Sequence, residues 1–215
     1  MPARVKLLLA SSNADKLREY RAMAAGRALD LDLLPRFAEL PPFPEDAPTF
    51  AENAAGKALH FSEYHGSRGS ALTEEIILAD DSGLVVPALG GAPGVHSARY
   101  AGPHASDAER IEKLLGELRG MTGEARRARF VCVVAAARLG QMLAVLSDSA
   151  EGIITNERRG KGGFGYDPVF YFPTHGKTFA ELSHAEKNEA SHRGKAFRKL
   201  LANISFSENP ALHLR

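Results

Sequence analysis

The sequence predicts an α/β protein, and three observations carry that reading. Short apolar runs (Val5 to Ala10 after Lys6, Leu31 to Leu34, Ile76 to Leu78) have the length of buried strands. Between them lie stretches with apolar residues at helical spacing, opened by capping residues. Further on, Ala128 to Arg138 and Gln141 to Ala150 flank Leu139-Gly140 and read as a long β-hairpin.

The first strand stops at Ser11-Ser12-Asn13, where Asn13 is a good N-cap for a helix carrying Leu17, Tyr20 and Met23-Ala24, with Gly26 as its stop. Lys16 then falls in the first helical turn, where the helix dipole disfavours a cation. Strand, Ser/Asn turn, helix N-terminus and that lysine make an anion-binding arrangement; the plain alternative is a well-capped helix with a solvent-facing lysine. Pro35 to Pro48 is a loop, and Thr49-Phe50-Ala51-Glu52 is a capping box opening a helix through Tyr64, so Glu52 has a local role available to it. Ser67 to Thr73 reads as a polar linker.

Ile76 to Leu78 leads into Ala79-Asp80-Asp81-Ser82-Gly83, the expected mouth of a strand that breaks at Gly83. Adjacent carboxylates there repel one another, and burying either needs a compensating cation or donor. Successive strand residues face opposite ways, so one site takes at most one of the two. A solvated acidic turn capped by Ser82 is the bland alternative. Leu84 to Leu89 reads as another strand, and Gly90 to Tyr100 as tight turns, with surface or structural roles favoured for His96 and Arg99. A second capping box, Ser106 to Glu109, opens a helix through Leu118, and Gly120 to Glu124 is a turn.

In Gly160 to Pro168, glycines let backbone approach a ligand closely while Phe164 and Tyr166 offer ring faces; the alternative is a flexible loop. Val169 to Phe172 is a strand. A third capping box, Ser183 to Glu186, starts a last helix running to about Ile204, on which Lys187 and Ser191 share a face. Ser205 to Arg215 reads as a loose tail, and no composition shift forces a second domain within residues 1–215.

Charged residues make up 25% of the 215, and the formal net charge of +1 argues against a broad nucleic-acid surface. Cys132, the only cysteine, sits in an apolar run as a small core residue. No apolar stretch approaches a membrane span and the first residues lack a signal-peptide core, so no membrane partner is expected and the cytoplasm is the default. Glu52, Asp80 and Asp81, with Ser11, Ser12, Asn13, Lys16, Lys187, His192 and Arg193, sit at element ends. Mg²⁺ is commonly held by one or two carboxylates plus substrate phosphates, which suits that inventory. Residue chemistry alone reaches a Mg²⁺-dependent enzyme acting on a phosphorylated small molecule.

Six blocks in order carry a resemblance: Ser11 to Lys16, Thr49 to Ala54, Asp80 to Leu84, Gly91 to Tyr100, Gly162 to Pro168 and Ser191 to Gly194. Together they resemble the inosine/xanthosine triphosphate pyrophosphatases, over about Leu7 to Ile204. The resemblance implies Mg²⁺-dependent hydrolysis of dITP, ITP and XTP to the monophosphate and pyrophosphate by a homodimer. It also implies a three-layer α/β fold with a mixed, elongated sheet and two lobes flanking a substrate cleft. On this sequence it assigns Ser11, Ser12, Asn13 and Lys16 to the phosphates, and Glu52 and Asp81 to Mg²⁺. Asp81 is also implied as proton acceptor for the attacking water, and Ser82 as a substrate contact. Phe164, Gly165, Tyr166 and Asp167 are implied along base and sugar, with Lys187, His192 and Arg193 completing the nucleobase pocket. The resemblance, not strand geometry, selects Asp81 over Asp80.

A fixed donor such as Arg193 would satisfy the 6-keto oxygen of hypoxanthine or xanthine and confront the 6-amino group of adenine. Stacking on Phe164 adds affinity with little discrimination. Two other readings compete: a module that senses a triphosphate without cleaving it, and a pyrophosphatase for modified pyrimidine nucleotides.

Overall fold

A computed structural model describes residues 5–66 and 75–204. The expected linker at Ser67 to Thr73 and tail at Ser205 to Arg215, and the chain start at residues 1–4, lie outside the described residues. Seven strands form one mixed sheet: β1 (Val5–Leu9), β2 (Leu29–Leu33), β3 (Ile76–Val85), β4 (Arg127–Arg138), β5 (Gln141–Ile154), β6 (Phe170–Phe172) and β7 (Lys177–Thr178). Their order is β2-β1-β3-β4-β5-β6-β7. The helices are α1 (Ala14–Ala24), α2 (Phe50–Gly66), α3 (Asp107–Glu117), α4 (His184–Ala190) and α5 (His192–Asn203). The expected α/β class is what forms.

Strand β1 runs parallel to both neighbours, with Leu7 opposite Leu31 on one side and Ile76 on the other. Leu7, Leu8 and Leu9 are buried on both faces, which is why this strand reads as a continuous apolar run without alternation. The same register brings Lys6 level with Glu75, which is buried and bonded to both Lys6 and His65. Burial pushes the Glu75 carboxyl up, but the Lys6 and His65 contacts outweigh it and hold the group below the ordinary glutamate value of 4.5. A carboxyl depressed in the folded state contributes stability that is complete above its unfolded pKa and lost as pH falls through the folded one. A Glu75→Gln variant should therefore start less stable at neutral pH and lose less stability between about pH 5 and pH 3, read from denaturant midpoints. Parallel acid limbs for the two proteins would remove Glu75 from acid sensitivity.

Strands β5, β6 and β7 pair antiparallel, with Ile153 opposite Tyr171 and Tyr171 opposite Thr178. The β4–β5 connection turns on Leu139 and Gly140, both at positive φ (51° and 74°), as a two-residue hairpin turn requires. Leucine is poorly suited to that conformation. Leu139→Asn should stabilise the protein by about 0.5 kcal/mol, part of the relief being offset by lost packing over Gly66. A lower denaturant midpoint would mean that this packing dominates.

Two readings of the chain are corrected. Strand β3 does not break at Gly83 but continues to Val85, so Leu84 to Leu89 is not a second strand; Pro87–Leu89 is a short 3-10 turn. Glycine interrupts a strand only where the chain needs a conformation other residues avoid, and inside a ladder its entropy cost is borne by the sheet. The last helix is two helices. Ser191 between them is extended (φ −71°, ψ 157°), and its hydroxyl accepts the Gly194 N–H at 3.2 Å, so it caps α5 instead of extending α4. Lys187 and Ser191 are therefore not on one continuous helical face. Smaller differences are Val169, which belongs to a 3-10 turn (Asp167–Val169), and β7, which was not foreseen. Thr178 and Glu181 form a capping box of the same form as those identified by spacing.

The described residues divide into two compact units: 5–66, 75–80, 133–147 and 196–204 in the first, and 81–132 and 148–195 in the second. In the first, Leu8, Ala10, Ile77 and Ala79 pack with the Ala54-Ala58-Phe61 stripe of α2. The second is centred on Phe130, Phe170 and Phe179, with ring centroids 4.6 to 5.8 Å apart, joined by Ile111 and Leu114 of α3. Cys132 is buried.

Candidate active site

The turn between β1 and α1 is organised by Asn13. Its Oδ1 accepts the N–H groups of Asp15 (2.9 Å) and Lys16 (3.1 Å), and its own N–H donates to Ser11 Oγ at 3.1 Å. Ser11 is buried and Ser12 exposed. The helix is thus well capped, and two of its leading amides are already committed. Lys16 is not solvent-facing, however: its Nζ lies 2.9 Å from Asp80 Oδ1, with side-chain exposures of 15% and 0%. An ammonium has three N–H donors, so this bond leaves it able to donate elsewhere.

Alternation along β3 separates the two aspartates. Ile77 and Ala79 pack with α2, Asp80 points to the other side of the strand, to Lys16, and Asp81 alternates away from Asp80. Asp81 is 8% exposed and its Oδ1 accepts the Ser82 N–H at 2.9 Å. Glu52 sits exposed in the first turn of α2, where its N–H donates to Thr49 Oγ1 (3.1 Å) and its Oε2 accepts the Thr49 hydroxyl (2.7 Å). The local capping role is real, and it engages one carboxylate oxygen. Among the described residues no three His, Cys, Asp or Glu side chains gather as a metal-binding group.

In the second unit the glycine loop is held from within. Asp167 is buried; its Oδ2 accepts the Phe164 N–H at 2.9 Å and pairs with Lys187 Nζ at 2.5 Å. Gly163, at φ +70°, packs so closely that a Cβ would come within 2.0 Å of that oxygen. Lys187 Nζ lies 4.8 Å from the centroid of the Phe164 ring and the Arg193 guanidinium carbon 5.4 Å, so two cations flank one aromatic ring. Arg193, buried, donates from Nη2 to Ser82 Oγ at 2.8 Å. His192 stacks on Phe130 (4.7 Å, 9° between planes). Tyr166 belongs to the core, its hydroxyl donating to the Ser97 carbonyl at 2.9 Å, and burial pushes its pKa up. Gly165 donates its N–H to Asp107 Oδ2 at 2.6 Å. Arg99 and His96 bond to each other on the surface.

Ser11, Asn13 and Lys16 are thus brought together with Asp80, and Ser82, Phe164, Asp167, Lys187 and Arg193 with one another. Three participants were missed by sequence reading. Asp80 as the lysine's partner has no local signal, because it lies 64 residues away. Ser97 receives Tyr166 and donates to Gly94, and Asp107 holds Gly165. Asp107 was visible only as the acidic residue after an N-cap.

These features define an α/β class with a capped, lysine-bearing turn at the head of its first strand and a carboxylate-pinned aromatic loop in its second unit. The profile of the Ham1 family matches residues 7–203, and the chain belongs to that family. A protein of Geobacillus kaustophilus (strain HTA426) named dITP/XTP pyrophosphatase is 49% identical over 195 residues, 91% of this chain and 92% of that one. The structure of a HAM1 protein from Coxiella burnetii superposes with a TM-score of 0.81 at 40% identity, covering 94% of this chain and 100% of that one. The Staphylococcus aureus Ham1 protein gives 0.75 at 36% identity, covering 92% and 96%.

Proposed function

We propose that this chain hydrolyses the non-standard purine nucleoside triphosphates dITP, ITP and XTP to the monophosphate and pyrophosphate, with Mg²⁺, as a cytoplasmic homodimer in which both units form one catalytic domain. No helix among the described residues is long and apolar enough to cross a membrane. The single observation that supports the mechanism is the alternation in β3, which commits Asp80 to Lys16 and turns Asp81 to the opposite side of the strand.

The residues suit Mg²⁺ chemically: Glu52 and Asp81 offer hard carboxylate oxygens, and one or two carboxylates completed by phosphates is the usual arrangement for this ion. When bound, Mg²⁺ would neutralise phosphate charge and acidify a coordinated water. Lys16, oriented by Asp80, donates to phosphate oxygens, and Ser11, Ser12 and Asn13 line the same turn. Asp81 takes the proton of the attacking water as its oxygen bonds to phosphorus and the bond to the leaving phosphate oxygen breaks. Phe164 stacks the base; Lys187 and Arg193, both at its ring, donate to the 6-keto oxygen, with His192 and the backbone of Gly165 to Asp167 beside it. An adenine amino group would set a donor against those donors.

A turnover panel of common and deaminated triphosphates tests this, with pyrophosphate distinguished from orthophosphate. Pyrophosphate release from dITP, ITP and XTP is expected about a hundredfold or more above that from ATP. Absence of release from any of them with Mg²⁺ present would leave the sensing module, and a preference for modified pyrimidines would favour the other pyrophosphatase.

A further inference from the structure

We propose that Asp107 is a positioning residue for the aromatic platform, acting through the backbone of the glycine loop; the consequence for catalysis rests on the substrate class proposed above. The two peptide N–H groups on either side of the Phe164 α-carbon are both taken by carboxylates. The Phe164 N–H goes to Asp167 at 2.9 Å, inside the loop, and the Gly165 N–H goes to Asp107 Oδ2 at 2.6 Å, in the first turn of α3. Fixing both amides fixes where the ring leaves the backbone, at a residue followed by a left-handed glycine (Gly165, φ +60°) that would otherwise leave it free to swing. Asp107 is held in turn. Its Oδ1 pairs with Arg110, whose Nη1 donates to the carbonyls of Ala98 (2.6 Å) and Ala105 (2.9 Å). The neighbouring Ala108 carbonyl accepts from Arg158 at 2.8 Å, so the helix start is tied to the stretch leading into the loop. Helix α3 does not need Asp107 as its cap, because Ser106 and Glu109 form a complete capping box.

A platform contact made equally in ground and transition states changes KM and leaves kcat alone. Asp107→Ala should raise KM for dITP about tenfold with kcat within about twofold, and should make the amides of residues 162–167 exchange with solvent about tenfold faster. Asp107→Asn keeps an acceptor for the Gly165 N–H and should recover most of both effects. Unchanged loop exchange in Asp107→Ala would overturn the clamp, and faster exchange without a rise in KM would overturn its role in substrate binding. A purely structural role would instead speed exchange throughout α3 and leave KM as it was. Failure of the unaltered protein to turn over dITP would sink the substrate assignment alone, since the exchange measurement still decides the clamp.

Discussion

Asp81→Asn is expected to bind dITP with close to the original affinity and to turn it over about 10² to 10⁴ times more slowly, the range that a positioned general base contributes. The amide has the carboxylate's shape, and its oxygen can still accept the Ser82 N–H that Asp81 now holds at 2.9 Å, so the strand should not rearrange. What is lost is the ability to take a proton and to offer Mg²⁺ a charged oxygen. Asp80→Asn is the contrasting variant, because the neighbouring carboxylate is committed to Lys16. It should alter stability and nucleotide affinity more than kcat. Equal kcat losses in the two variants, or unchanged turnover in Asp81→Asn, would take the base assignment away from Asp81.

Lys16→Met should cost about 3 to 5 kcal/mol of stability, because it leaves a fully buried carboxylate without its ion-pair partner. For a chain of this length that lowers the unfolding midpoint by roughly 6 to 20 °C. The cost comes from keeping the Asp80 charge buried without the lysine cation more than from the lost attraction, so adding Asp80→Asn to Lys16→Met should recover part of it. The double variant should fold, yet still bind triphosphate more weakly, since the cation aimed at the phosphates is gone. Chemical denaturation of the two single variants and the double one closes the cycle. A Lys16→Met midpoint equal to that of the unaltered protein would show that the pair contributes nothing.

The candidate site was partly legible in the sequence, for local reasons. Asn13 as a cap, and the boxes at Ser106 and Ser183, are interactions between residues two or three apart, so spacing reveals them. The existence of the first strands and of the hairpin at Leu139-Gly140 follows from runs of apolar residues and a two-residue turn. Gly83 misled because a breaker residue says nothing about whether a ladder continues past it. Ser191 misled because its hydroxyl competes for a backbone N–H, and helical periodicity on both sides hides the break.

Local chemistry sufficed to set the α/β class, the caps, and the residue types able to meet phosphate, metal and base. Pairings between distant positions were left to the folded chain: Lys16 with Asp80, Gly165 with Asp107, Arg193 with Ser82. A side chain's neighbours along the chain are written in the sequence, whereas the partner it meets across the fold depends on strand register and helix packing, and these exist only once the core has closed.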